Sequence, residues 1–187
     1  YFTWCAISQC ASTCAPYMFS GTHACLHTHA FLPKCSDIAG LVSMKPRILT
    51  LKEKKLVGIH TNMSMVKNLT GMLWGRFGPR IKEIPHQVSN DKFSMQVFDD
   101  LYFSEFNPQK EFTKWAAIEV SDFENIPVEM ESFVLSEGLY AVFDYKGSSA
   151  DNSIFQYIYS SWIPNSEYQL DNRPHFEVLG EKYKNND

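Results

Sequence analysis

The hydrophobic pattern changes period inside one stretch, Phe133 to Trp162. Its first part, FVLSEGLYAVFDYKG, is rich in β-branched and aromatic residues and reads as a strand. Gly147 and the Ser148-Ser149 pair break it, and Asp151 or Asn152 can cap a helix beyond it. Ile154, Phe155, Ile158 and Trp162 then recur at three- and four-residue spacing, the stripe of an amphipathic helix that Pro164 ends. A strand that feeds straight into such a helix gives it a sheet to pack on.

The same alternation occurs earlier. Arg47 to Thr61 reads as a strand interrupted near Lys52–Lys55. Ser64 is placed to cap a helix carrying Val66, Leu69, Leu73 and Phe77, and Ile81 and Ile84 extend it by a turn beyond Gly78-Pro79. Phe93–Phe98 and Phe112–Val120 are strands separated by a turn at Asn107-Pro108, and His175–Leu179 is a final strand. Coarsely, the order is strand, helix, strand, strand, then strand, helix, strand. The chain stops short of the last strand of the second unit. This pattern predicts an α+β domain of duplicated βαββ repeats. The sheet is mostly antiparallel, with two helices on one face, and the other face must be solvated, covered by a loop or used for binding.

Composition then divides the chain. All five cysteines lie in the first 35 residues, and residues 1–43 hold only two charged groups, Lys34 and Asp37. This stretch has no sustained periodicity and lacks the charged and apolar regions of a secretory signal. The favoured reading is a low-order extension that is not native, with the domain running over 44–187 from Met44. A poorly packed native extension is the second reading. A metal or disulfide module is the third; Cys25, His27, His29 and Cys35 support it, but their spacing matches no usual zinc site.

Net charge is −4 with no basic cluster, which argues against a direct nucleic-acid partner. No apolar run reaches membrane-span length, so a cytoplasmic location is expected. No phosphate loop, dinucleotide fingerprint or Ser-His-Asp arrangement occurs, and His60, His86 and His175 do not form a ligand set, so no cofactor, metal or established catalytic residue is expected.

Three motifs, GLYAVFDYKG (138–147), WIPNSEY (162–168) and NRPHFEVL (172–179), resemble the GyrI-like effector-binding domains. That superfamily includes the drug-binding domains of AraC- and MerR-type regulators and the gyrase-inhibitory proteins. LWGRFGPRIKEI (73–84) and KWAAIEVSDFENIPVEM (114–130) resemble its first helix and third strand, and together the likeness covers about 45–182. It implies two repeats about a pseudo-two-fold axis with a groove between them, and a central acidic residue at Glu177. No helix-turn-helix is read ahead of residue 44.

Alternation in HFEVL puts His175, Glu177 and Leu179 on one face, read as the side turned away from the helices. A carboxylate among aromatic rings there attracts organic cations. Trp115 and Glu119 share a face with small Ala117 between them, Tyr140 is read as facing the groove, and Tyr102 and Phe103 as its rim. Phe155, Ile158, Trp162, Leu73 and Phe77 are read as core. The leading function is a stand-alone binder of hydrophobic, cationic aromatic ligands, monomeric or dimeric, serving regulation or drug resistance. One alternative is a hydrolase of reactive alkylating compounds using Glu177 with Glu119. The other is an inhibitor that contacts DNA gyrase or a regulator protein.

Overall fold

The computed structural model describes residues 2–9, 45–103, 107–144 and 153–180. The strands are β1 (Phe2–Gln9), β2 (Arg47–Leu51), β3 (Lys54–Met63), β4 (Gln87–Val97), β5 (Phe112–Val120), β6 (Glu131–Leu135), β7 (Gly138–Asp144), β8 (Tyr168–Leu170) and β9 (His175–Leu179). Helix α1 spans Thr70–Phe77, and a 3-10 turn follows over Gly78–Glu83. Helix α2 spans Ser153–Tyr157, then widens to a π-turn over Ile158–Trp162 and tightens to a 3-10 turn over Ile163–Asn165. No helix among the described residues is long and apolar enough to cross a membrane.

Eight strands follow the order β2-β7-β1-β9-β4-β5-β3-β6, with β8 paired to the far end of β1. Every pairing is antiparallel. The order is symmetric about the β9–β4 pair. One repeat is β2-β3-α1-β4-β5 and the other β6-β7-α2-β9-β1, and each repeat lends its first strand to the other: β2 pairs with β7, β6 with β3. The duplicated α+β fold is as the sequence predicts. The details differ at both ends of the second repeat. The stretch read as one strand from Phe133 is two strands in different halves, broken at Ser136-Glu137. The position of the strand that the C-terminal end seemed to lack is filled by β1, between β7 and β9.

Phe2–Gln9 is therefore part of the sheet and not an extension outside it. Residues 10–44 lie outside the described residues, as do the other four cysteines, the proposed Cys/His module and the cap expected at Asp151 or Asn152.

The connections dictate the shape. Leu51 and Lys54 are three links apart, at most about 11 Å, yet β2 and β3 are six strand spacings apart in the sheet, about 29 Å if it were flat. Leu135 and Gly138 repeat the problem at the β6–β7 junction. The sheet must therefore curl until its edges approach. The enclosed concave face is filled by Phe93, Met95, Trp115, Tyr140, Phe176, Leu51, Leu56 and Leu135. Both helices lie on the outer, convex face. Leu73 and Phe77, one turn apart, pack α1 on Val57, Ile59, Ala116 and Ile118. Ile154 and Ile158 pack α2 on Ala141, Phe143 and Ile7. Ser64 caps a turn rather than a helix: its Oγ accepts from the Lys67 N–H at 3.1 Å, and α1 begins only at Thr70.

Candidate functional site

Two helices on one convex face, each packed on its own repeat, leave a cleft between them. At one end of the cleft is a cavity of about 710 Å³, within the range typical of small-molecule sites. Its walls are Met63, Ser64, Met65 and Asn68 ahead of α1, Phe155, Gln156, Tyr159 and Ser160 of the second helix, Tyr102, Phe103 and Asn107 after β4, and Phe112 and Leu170. Gln96 and Phe98 complete it. Phe155 and Tyr159 are four residues apart and so share a helix face, one step round from the buried Ile154 and Ile158.

Aromatic rings dominate these walls. Phe98 contacts Tyr102, Phe103 and Phe112 at centroid distances of 4.5, 4.8 and 5.1 Å. Phe103 is stacked on Tyr159 at 6.0 Å and on His175 at 5.9 Å, and remains 44% exposed. The Tyr102 hydroxyl is buried with no hydrogen-bond partner, and its burial pushes its pKa up. A ligand acceptor above Tyr102 would give that hydroxyl a partner. Among the described residues, no wall side chain carries a charge.

The charges lie one layer down. Strand register puts Lys114, Gln96 and His175 side by side on β5, β4 and β9, with Ser94 and Glu177 paired in the next row. Lys114 is 3% exposed, and burial pulls its pKa down to about 8 while Glu177 draws it up. Burial pushes the Glu177 carboxyl up, opposed by Lys114 and by a hydrogen bond from Ser94. In the orientation that satisfies both neighbours, the Gln96 amide donates to the His175 carbonyl at 2.9 Å and accepts from Lys114 Nζ. His175 Nε2 lies 3.4 Å from the Asp171 carbonyl and Nδ1 lies 3.0 Å from the Tyr159 hydroxyl. The carbonyl can only accept, so Nε2 carries the proton and Nδ1 accepts from Tyr159. Burial holds this imidazole neutral, with a pKa down at about 4.

Tyr102 and Phe103 thus form part of the cavity wall. Glu177 is on the helix-bearing face and not on the opposite one, diagonal across the β4–β9 pair from the wall residue Gln96. The alternation read in HFEVL holds, but its two sides are exchanged, because the curled sheet closes its concave face over a packed core. Trp115 and Tyr140 belong to that core and line no part of the cavity. Trp115 instead contacts His60 at 4.6 Å and Phe133 at 5.2 Å. Glu119, on the same face, accepts two hydrogen bonds from Lys54 Nζ at 2.8 and 2.7 Å. Glu177 and Glu119 are therefore on opposite faces, and the acid pair of the hydrolase reading is not brought together. The sequence reading missed Phe98, Phe112 and Tyr159, took Phe155 for core, and passed over Lys114. Its one available signal was a lone cation inside the apolar run FTKWAAIEV. At the opposite end of β4 and β5, the ligand atoms of His86, Asp122 and Glu124 lie within 4.8 Å of one another at the surface. Asp122 is already engaged there by the Glu124 N–H and the Ser121 hydroxyl.

Residues 47–187 match the family model for Cass2, described as an integron-associated effector-binding protein. The chain belongs to the Cass2 family. This places it in the GyrI-like effector-binding superfamily. Solved structures similar to this chain in fold include the following two. SAV2435 bound to tetraphenylphosphonium aligns at a TM-score of 0.56 and 14% identity, over 75% of this chain and 86% of that one. A putative bacterial transcription regulation protein from Staphylococcus aureus MU50 aligns at 0.50 and 15%, over 75% and 89%. At these identities the likeness is one of fold. Comparison with curated proteins found no match.

Proposed function

We propose that this Cass2-family chain is a stand-alone binder of hydrophobic aromatic cations, held in the cavity between α1 and α2. The observation that carries the reading is an aromatic cavity whose described wall residues are uncharged, with the half-buried carboxylate of Glu177 diagonal to its wall residue Gln96 across the β4–β9 pair. Ring faces attract cations, and a charge shielded from water acts at longer range than a solvated one. The tetraphenylphosphonium held by SAV2435 is a ligand of this class. Such binding serves effector sensing or drug sequestration.

Titration of the full chain with tetraphenylphosphonium tests the reading. At an effective dielectric of about 20, a unit charge about 8 Å away contributes about 2 kcal/mol, or roughly thirtyfold in affinity. At about pH 9, where Lys114 is mostly neutral, Glu177→Gln should therefore weaken binding by that order, and Phe103→Ala should weaken it independently. Unchanged affinity in Glu177→Gln would remove the carboxylate from the site.

A further inference from the structure

Among the described residues the walls of this cavity carry no charge, so its selection of ligand charge falls to what lies behind them. Here two opposite charges lie behind one wall residue. Gln96 reaches the cavity. Lys114 is its cross-strand partner on one side, and Glu177 is diagonal to it on the other, opposite Ser94. While both are ionised, the ammonium cancels much of the field that the carboxylate sends into the cavity. A cation above Gln96 is drawn by Glu177 and repelled by Lys114. Solvent cannot screen that repulsion well, because Lys114 is buried.

We propose that Lys114 is the charge gate of this cavity: it keeps its proton while the cavity is empty and releases it to solvent when an aromatic cation binds. The bound cation then takes the place of the ammonium as the countercharge of Glu177. The balance is simple. One N–H bond of the ammonium breaks, a neutral amine remains, and one proton passes to the buffer. The inference rests on the proposed function and adds to it a dependence on pH and a rule of charge selection.

The neighbours permit such a change. The Gln96 amide remains held by the His175 carbonyl when Lys114 loses its proton. The groups facing Lys114 are few. β9 presents Glu177 and His175, β4 presents only Gln96 and Ser94, and β3 places Thr61 opposite it. His175 is held neutral with a pKa down at about 4, and the Tyr102 hydroxyl is pushed above its ordinary value. Lys114, at about 8, lies close enough to neutrality for a nearby cation to shift its protonation.

The test uses two ligands of one shape and fixed charge, tetraphenylphosphonium and tetraphenylborate, with the full chain. Calorimetry in buffers of different protonation enthalpy counts the protons released. Between about pH 7 and about pH 8, phosphonium affinity should rise about fivefold, with close to one proton released at about pH 7 and about half of one at about pH 8, and it should level off above about pH 9 at about tenfold its value at about pH 7. Borate, if held, should weaken over the same range. Lys114→Met should bind phosphonium at least about tenfold more tightly at about pH 7, with no slope. Lys114→Gln serves if the methionine variant fails to fold, and the proton count on the unaltered chain needs neither. Phosphonium bound without proton release, or an unchanged slope in Lys114→Met, would overturn the gate and leave the binding site standing. No phosphonium binding at any pH would overturn both.

Discussion

His175 shows how a side chain beside the cavity acquires a pH limit. Its ring packs against both Phe103 and Tyr159, which also stack on each other, and it is hydrogen-bonded at both nitrogens to neutral partners. Burial lowers its pKa from 6.5 to about 4. Above its ordinary value the imidazole is neutral in both folded and unfolded chains and contributes no pH dependence. As pH falls below that value the unfolded chain takes up a proton that the folded chain refuses, and stability drops until about pH 4. The loss approaches about 3 kcal/mol. Urea titrations from about pH 7 to about pH 4 should show it, and His175→Gln should lack it; an identical slope in the variant would assign the loss to other groups. Residue by residue, the site was half legible. Tyr102 and Phe103, read as a rim because aromatic pairs beside a turn form one, do line the cavity. Trp115 and Tyr140 misled because a ring on an alternating strand looks the same whether it lines a groove or fills a core.

At the scale of elements, one arginine joins pieces that the chain order keeps apart. Arg173, in the turn between β8 and β9, donates to the carbonyls of Ile7 on β1 and Leu139 on β7 at 2.9 and 3.0 Å. It also pairs with the Asp171 carboxylate at 3.0 Å and lies 4.8 Å from the Tyr140 ring centroid. Gly138 makes the room. Its φ of 152° suits glycine, and a Cβ there would collide with the Arg173 guanidinium. The planar fork reaches several acceptors at once, which an ammonium does not. Arg173→Ala should lower unfolding free energy by about 3 kcal/mol, and Arg173→Lys should recover less than half of it. A change under about 0.5 kcal/mol in chemical denaturation would mean that the carbonyls find water instead. Element types were legible in the sequence because period two and period 3.6 are local signals. The split of the stretch from Phe133 was not, since hydrophobic alternation runs almost unbroken across it. Only Ser136-Glu137 and Gly138 mark the place where the chain leaves one half for the other.

For the molecule as a whole, the repeat was legible and the closure was not. Two repeats that exchange their first strands must join opposite edges of the sheet through connections of two residues, and that forces the curl. Local periodicity carries no record of which distant strand is a partner, so the face holding the cavity could not be read from alternation alone. The same reasoning assigns a role to the N-terminal strand. β1 is the middle of three strands, pairing with β7 through Phe2–Ala6 and with β9 through Phe2–Trp4. Its Ala6 and Ile7 are fully buried, one in the core of each face. A chain shortened to begin at Met44 would leave β7 and β9 with facing rows of unpaired N–H and C=O groups and open both cores between them. Exposed edges of this kind recruit other chains. The shortened chain should therefore lose cooperative unfolding in the second repeat and self-associate in sedimentation, while β3, β4, β5 and α1 keep protected amides in hydrogen exchange. A monomeric shortened chain with the unfolding midpoint of the full one would show that the gap between β7 and β9 is closed by other means, and would restore Met44 as the start of the folded unit.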